Sequence, residues 1–198
     1  MATRRGPRFK ECRRLGVNVC GHPKAIKRAN NVAFKKRRKV SEYSLQLTEK
    51  QKIKAYYGIL ERQLRRYYDL AKRKIGVRTG DALFEMLECR LDNLVYRLGF
   101  GNSIRLARQL VSHGHILVDG KKINIPSYPV KPGQVISLKE RSQKNAAFKG
   151  YFLGQNKSPL AYIEKQEENF SGKLVRVPER NEIPVEVNDQ LVVEFYSR

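Results

Sequence analysis

The sequence predicts an α+β fold, in which a mainly helical first part is followed by two helices and a small antiparallel sheet. Apolar residues recur at helical spacing over much of residues 48–112. The period becomes that of strands between 116 and 138, where Asp119-Gly120 is typical of a tight hairpin turn. A chain of 198 residues with 40% hydrophobic residues is long and apolar enough to bury a core, as one domain or two small ones.

The first helix is predicted from Thr48 to Ile75. Thr48-Glu49-Lys50-Gln51 has the pattern of a capping box, and apolar residues then keep helical spacing over six turns. Gly58 lies inside this segment and weakens a helix by about 1 kcal/mol, so the helix either continues through it or breaks there. The tyrosines of the apolar stripe are expected in the core: Tyr56, Tyr57, Tyr67 and Tyr68.

Two further helices follow. Thr79-Gly80-Asp81 is expected to cap the second, whose buried stripe runs from Leu83 to Leu98 and which Gly99 ends in a left-handed conformation. The third covers Ser103–Ser112. Its polar face holds residues at i, i+3, i+4 and i+7, namely Arg105, Arg108, Gln109 and Ser112.

The sheet is predicted to begin with a hairpin of Ile116–Val118 and Lys121–Ile125, followed by a strand over Val135–Leu138. Residues 139–172 are expected to be helical or irregular. Lys173–Val177 and Leu191–Tyr196 are predicted as two more strands near the C-terminus.

The charge favours a polyanionic partner. There are 41 Lys and Arg against 19 Asp and Glu, a net charge of +22, and residues 1–40 alone carry +13. A small-molecule substrate does not require such a charge, which suits a polyanion instead: nucleic acid first and an anionic membrane surface second. No apolar run reaches the ~20 residues of a membrane span, and no hydrophobic segment follows the basic N-terminus. A cytoplasmic location is therefore expected.

Neither the cysteines nor the histidines fit a metal site. Cys12, Cys20 and His22 supply three ligands at wide spacing, whereas a structural zinc site needs four. His113 and His115 are expected to cap backbone groups or contact RNA phosphate. We therefore predict no metal and no other cofactor.

Catalytic motifs are also missing, since the sequence has no phosphate-binding Gly-rich loop and no dinucleotide fingerprint. Four carboxylates share one helix face and are expected to pair with Arg90, Arg97 or the basic N-terminal arm: Asp81, Glu85, Glu88 and Asp92. The prediction is that the protein is not an enzyme and takes no small-molecule substrate.

Several stretches resemble a known family. Leu87–Phe100, Ala107–Ile116, Val118–Lys121 and Ile125–Tyr128 resemble the S4-type RNA-binding domain. That domain also occurs in pseudouridine synthases, some tRNA synthetases and a small heat-shock RNA binder. The flanking segments are similar to the ribosomal protein S4 family of bacterial or organellar type: Tyr56–Tyr67, Val177–Arg180 and Val192–Arg198.

The flanks weigh against three alternatives. An RNA-modifying enzyme would need a further catalytic domain, for which the resemblance leaves no residues. A binder of stalled large subunits would be shorter and would lack both flanks. A membrane-surface protein needs a basic helix with an open apolar face, whereas the helix predicted from Thr48 is better explained as packed inside a domain.

The resemblance divides the chain into four parts. These are a basic N-terminal arm (1–40), the helical part of a first domain (41–86), the S4-type domain (87–150) and a C-terminal segment whose strands pack back on the first domain (151–198). It also implies the zinc-free branch of the family, because only Cys12 and Cys20 remain of four clustered cysteines. Ile104 and Leu106 stand where the family often has Arg and Gln.

The implied function is structural. Family members bind 16S ribosomal RNA early, at a helix junction in its 5′ domain, and nucleate assembly of the small-subunit body. The resemblance further implies an interface with small-subunit ribosomal protein five that affects decoding accuracy. It also implies a position beside small-subunit protein three, at the channel through which mRNA enters.

The predicted RNA-binding residues fall into three groups. The third-helix group, with the hairpin that extends it, is Asn102, Arg105, Arg108, Gln109, His113, His115, Lys121 and Lys122. The first-helix group is Lys50, Lys54, Arg62, Arg65 and Arg66. The arm group is Arg4, Arg5, Arg13, Arg14, Lys35, Lys36, Arg37, Arg38 and Lys39.

Overall fold

The computed structural model describes residues 6–27, 41–154 and 160–197 and divides the chain into two compact units. The first unit combines Met1–Leu83 with Pro184–Arg198, and the second unit is Phe84–Ile183. The α-helices of the described residues are α1 (Arg8–Leu15), α2 (Lys24–Lys27), α3 (Glu42–Tyr56), α4 (Glu61–Lys72), α5 (Thr79–Glu88), α6 (Leu91–Arg97), α7 (Ile104–Ser112), α8 (Glu140–Gln143), α9 (Ala146–Gly154) and α10 (Asp189–Ser197). The strands are β1 (Ile116–Val118), β2 (Lys121–Lys122), β3 (Val135–Leu138), β4 (Ile163–Gln166) and β5 (Ser171–Leu174).

The long first helix of the prediction is two helices, and it begins earlier than predicted. The Ser41 side chain accepts a hydrogen bond from the Ser44 N–H at 3.3 Å and caps α3. Thr48 lies inside α3, where its hydroxyl donates to the Ser44 carbonyl at 2.7 Å. The predicted start at Thr48 was therefore wrong, because Ser41 caps the helix about two turns earlier. Gly58 adopts a φ of 60° and separates α3 from α4.

The strand predicted at Leu191–Tyr196 was wrong, since these residues belong to α10. The Asn188 side chain accepts a hydrogen bond from the Gln190 N–H at 3.1 Å at the start of this helix. Inside the first unit α10 packs on α3, where Gln46 donates to Glu194 at 3.0 Å. Val192 is buried, and the Tyr196 ring stacks on Tyr68 with 4.8 Å between centroids.

The second predicted helix is interrupted at Cys89–Arg90, between α5 and α6. The Leu91 N–H donates to the Tyr128 carbonyl at 2.9 Å, so α6 is anchored to the loop before β3. Gly99, with a φ of 89°, follows α6 in the left-handed conformation that was predicted. The third predicted helix is confirmed as α7, which Ser103 caps through the Leu106 N–H at 3.4 Å.

The five strands form one antiparallel sheet in the order β2-β1-β3-β5-β4. The hairpin turn is confirmed, with a positive φ at both Asp119 (48°) and Gly120 (75°), and β3 has the predicted bounds. β4 was missed, because it lies in the 139–172 segment expected to be helical or irregular. β5 pairs with β3 and therefore belongs to the second unit, which corrects the prediction that it packs back on the first domain.

The core of the second unit lies between this sheet and the helices α6 and α7. Its fully buried residues include Leu91, Leu94 and Val95 of α6, and the rings of Phe100 and Phe152 stack with 4.6 Å between centroids. Because one face of α7 is committed to this core, its other face is left at the surface.

Candidate nucleic-acid interface

The exposed face of α4 carries three of the predicted cations. Leu64, Tyr68 and Ala71 are the buried residues of this helix. Arg62, Arg65 and Arg66 are exposed on the same helix, and no carboxylate among the described residues pairs with them. Residues at i, i+3 and i+4 lie on one helix face, so the three guanidinium groups form one positive patch.

Lys50 and Lys54 serve the structure of the first unit. Lys50 is buried, with its ammonium 3.1 Å from the Glu61 carboxylate and 4.0 Å from the centre of the Phe195 ring. Lys54 pairs with the other oxygen of Glu61 at 2.9 Å. Lys50, which was predicted to contact RNA, is therefore buried and paired, and its charge is held inside the unit.

Glu61 joins α4 to both α3 and α10. Burial raises the pKa of this carboxyl, but hydrogen bonds from Lys54, Tyr196 and Lys50 outweigh burial and hold the pKa below its ordinary value. The Tyr196 hydroxyl donates to it at 2.8 Å. Glu61 is therefore held as a charged group at neutral pH.

Arg108 is also bound by a buried carboxylate, that of Asp92. Asp92 is fully buried and accepts hydrogen bonds from Arg90 at 2.8 and 3.0 Å. Arg108 donates two further bonds to Asp92, at 2.6 and 2.9 Å, and 21% of its side chain is exposed. Arg108 is thus tied to a buried carboxylate that it shares with Arg90, which the prediction from the polar face of α7 did not foresee.

Glu88 forms a second buried network. Arg97 donates to it at 2.6 Å, the Asn93 amide hydrogen-bonds to it, and the Tyr162 hydroxyl donates at 3.2 Å. Burial, followed by the Glu88 charge, raises the pKa of Tyr162 well above its ordinary value. The predicted pairing of helix carboxylates with Arg90 and Arg97 is confirmed for Glu88 and Asp92.

The rest of the predicted third-helix group lies at the surface. The exposed members are Asn102, Arg105, Gln109, His113, Lys121 and Lys122. His115 is half-buried, and its Nδ1 forms a 2.8 Å hydrogen bond with the Ser142 hydroxyl. In the arm group Arg13 and Arg14 are exposed in the last turn of α1, whereas Arg4, Arg5 and Lys35–Lys39 lie outside the described residues.

A cleft of about 320 Å³ opens beside the two histidines. Besides His113 and His115 it is lined by Lys122 of β2, and by Lys139 and Arg141 at α8. Sequence reasoning missed Lys139 and Arg141. The signal that pointed to them was the net charge of +7 in residues 121–160.

Other kinds of site find no support in the described part of the chain. No helix there combines the length and the hydropathy needed to cross a bilayer. Those same residues contain no cluster of three or more His, Cys, Asp or Glu side chains arranged around a metal position. Cys12 and Cys20 lie with their sulfur atoms 3.5 Å apart as free thiols.

The second unit combines helices with a small antiparallel sheet and exposed basic side chains, the architecture expected of an S4-type RNA-binding domain. Residues 89–136 match the family described as the S4 domain, and residues 3–88 match the ribosomal protein S4/S9 N-terminal domain.

Relatives that align over the full length of the chain identify the family. The chain is 53% identical over 199 residues to small ribosomal subunit protein uS4 of Finegoldia magna, and 46% identical over 203 residues to the protein of that name from Staphylococcus aureus. Both alignments span all of this chain and all of the relative. The chain therefore belongs to the ribosomal protein S4 family, a family of structural proteins that are not enzymes. The resemblance and the α+β class inferred from the sequence are confirmed.

Proposed function

We propose that this protein is a structural constituent of the small ribosomal subunit in the cytoplasm and binds 16S ribosomal RNA at the helix junction of the 5′ domain. On this proposal it binds early and nucleates assembly of the 30S body. The observation that carries the proposal is the patch of Arg62, Arg65 and Arg66, whose charges no described carboxylate neutralises in a chain of net charge +22.

The physics of RNA recognition supports this choice. A junction of RNA helices brings phosphates close together, and lysines and arginines bind them with release of counterions. Side chains cannot read the deep, narrow major groove of A-form RNA, so recognition rests on backbone and shape. Exposed guanidinium groups on rigid helices suit that kind of recognition.

The partners follow from the family resemblance. They are 16S ribosomal RNA, small-subunit ribosomal protein five at an interface that affects decoding accuracy, and mRNA at its channel into the subunit, beside small-subunit protein three. Neither a membrane nor a small-molecule substrate is part of the proposal.

The test is binding of the full-length protein to a 5′-domain junction RNA and to a scrambled RNA of equal length, over a salt series. We expect a preference for the junction RNA that persists at high salt. Replacing Arg62, Arg65 and Arg66 by Ala should weaken binding. It should also make the fall of log K with log salt shallower by about 2–3, because each phosphate contact contributes about 0.7–0.9 to the magnitude of that slope. The matched control replaces the same three residues by Lys and should keep most of the slope. Equal binding to both RNAs at every salt concentration would contradict junction recognition.

A further inference from the structure

The cleft beside α7 gathers positive charge from three elements of the second unit. The turn between α7 and β1 contributes His113 and His115, and their ring centroids are 6.2 Å apart. Lys122 comes from β2, and Lys139 and Arg141 come from α8 and the residue before it. No aspartate or glutamate is among the lining residues, although Glu140 stands between Lys139 and Arg141 in the sequence.

The three permanent cations of the cleft are available to a ligand. Lys122, Lys139 and Arg141 are exposed, and the described residues offer none of them a carboxylate partner. Arg108 on α7 differs from them, because it forms an ion pair with Asp92. Like charges that are held together without a counter-charge repel one another, and an anion in the cleft relieves that repulsion.

The Lys122 side chain lies directly against Gly114 in this turn. Gly114 has a φ of 71°, a conformation that favours glycine, and a Cβ there would collide with the Lys122 side chain. The Lys139 N–H donates to the His115 carbonyl at 2.9 Å, which ties the turn to the start of α8. The cleft is therefore built from backbone contacts and from side chains that three separate segments supply.

The protonation of His115 is expected to make ligand binding in the cleft depend on pH. Its Nδ1 is engaged with the Ser142 hydroxyl at 2.8 Å, and the edge of its ring contacts Phe148 at 5.3 Å between centroids. Burial lowers the pKa of His115, and the positive groups of His113, Lys139 and Lys122 lower it further. A negative charge in the cleft would offset the effect of these positive neighbours and stabilise the protonated His115 ring.

We propose that this cleft binds one phosphate group of the RNA backbone, held by Lys122, Lys139 and Arg141, and that His115 takes up a proton as it binds. The inference rests on the proposed function, because it names a phosphate contact of the same RNA-binding protein. It adds a defined site, two residues that the sequence analysis did not name (Lys139 and Arg141), and a dependence of affinity on pH.

The test uses the fact that the chain has three histidines, of which His22 lies in the first unit. The ring proton resonances of the full-length protein are followed by NMR during titration with a six-nucleotide uridine RNA at constant ionic strength. We expect the His113 and His115 resonances to shift and the pKa of His115 to rise, while the resonances of His22 stay in place. Affinity should increase about 3- to 10-fold from pH 7.5 to pH 5.5, since a pKa rise of one unit corresponds to a factor of ten.

Matched variants separate the cleft from general positive charge. Lys139→Ala with Arg141→Ala removes two cations of the cleft and should abolish both the histidine shifts and the pH dependence. Lys131→Ala with Lys144→Ala removes two exposed lysines of the same unit outside the cleft and should preserve both effects. The titration is repeated with inorganic phosphate in place of the RNA. Inorganic phosphate should saturate the histidine shifts only at higher concentration than the uridine RNA does.

Three results would overturn the inference. They are equal shifts of all three histidines, shifts that survive in the Lys139/Arg141 variant, and saturation by inorganic phosphate at lower concentration than by the RNA. A loss of preference for the junction RNA with intact histidine shifts would count against the proposed function and leave the phosphate site standing.

Discussion

At the scale of single residues, buried carboxylates decide which arginines remain for RNA. Asp92 accepts four hydrogen bonds from Arg90 and Arg108 and is fully buried. Removing one member of such a buried ionic group leaves charge without compensation, which typically costs about 3–5 kcal/mol. Arg108 therefore contributes to the fold of the second unit, and loss of RNA binding on its removal would combine a lost contact with a weakened fold.

Asp92→Ala is expected to lower the free energy of unfolding by about 3–5 kcal/mol, because two guanidinium groups lose their counter-charge. Urea unfolding followed by circular dichroism measures this. The control is Glu164→Ala, which removes an exposed carboxylate of β4 and should change the free energy by less than about 0.5 kcal/mol. A similar small effect at Asp92 would show that the ion pairs contribute little to stability.

The sequence indicated which kinds of residue would bind RNA, but not which of them are buried or paired within the protein. The presence of Lys50 on a helix near other cations suggested an RNA contact, yet it is buried against Glu61 and the Phe195 ring. Phe195 lies 145 positions further along the chain. Which lysine is paired depends on such distant partners, and periodicity along one helix carries no information about them. Arg62 and Arg65 were predictable, because the stripe that buries Leu64 and Tyr68 also dictates which side faces water.

At the scale of elements, the break between α3 and α4 depends on Gly58. Its φ of 60° is a left-handed conformation that costs an L-residue roughly 1–2 kcal/mol. A continuous helix across this position would instead gain about 1 kcal/mol when glycine is replaced by alanine. The sign of the effect therefore distinguishes the two architectures that the sequence left open.

Gly58→Ala is expected to destabilise the protein by about 1 kcal/mol in urea unfolding. Gly150 provides the matched control, because it lies inside α9 without a positive φ and an added Cβ would meet nothing within 4 Å. Gly150→Ala should therefore stabilise the protein by about 0.5–1 kcal/mol. If both substitutions stabilise it, α3 and α4 form one continuous helix.

The elements that the sequence predicted well are those with local signals. α7 has a serine cap and one apolar face, and the hairpin has Asp119-Gly120, so both followed from neighbouring residues. α10 and β4 depend on distant partners. The apolar run of residues 191–196 fits a short strand or a buried helix, and packing of α10 on α3 selects the helix. β4 exists because β5 offers an edge with which it pairs.

At the scale of the whole molecule, the chain leaves the first unit near residue 83 and returns to it near residue 184. The second unit is continuous and has its own core between the sheet and helices α6 and α7. The first unit is discontinuous, since α10 packs on α3, where Lys50 contacts the Phe195 ring, and on α4, where Tyr68 stacks on Tyr196. A continuous segment with its own core is the kind of segment that folds alone.

The fragment 79–183, which keeps α5 whole, is therefore expected to unfold cooperatively on heating and to give a well-dispersed amide NMR spectrum. The fragment 1–78 is expected to show neither property. It lacks Val192 and the aromatic rings of α10, and burial of a large apolar side chain stabilises a fold by about 1.5–3 kcal/mol. Adding a peptide of residues 184–198 should restore helical signal to fragment 1–78. Cooperative unfolding of fragment 1–78 alone would show that α10 is dispensable, and an unfolded 79–183 would show that the second unit depends on the first.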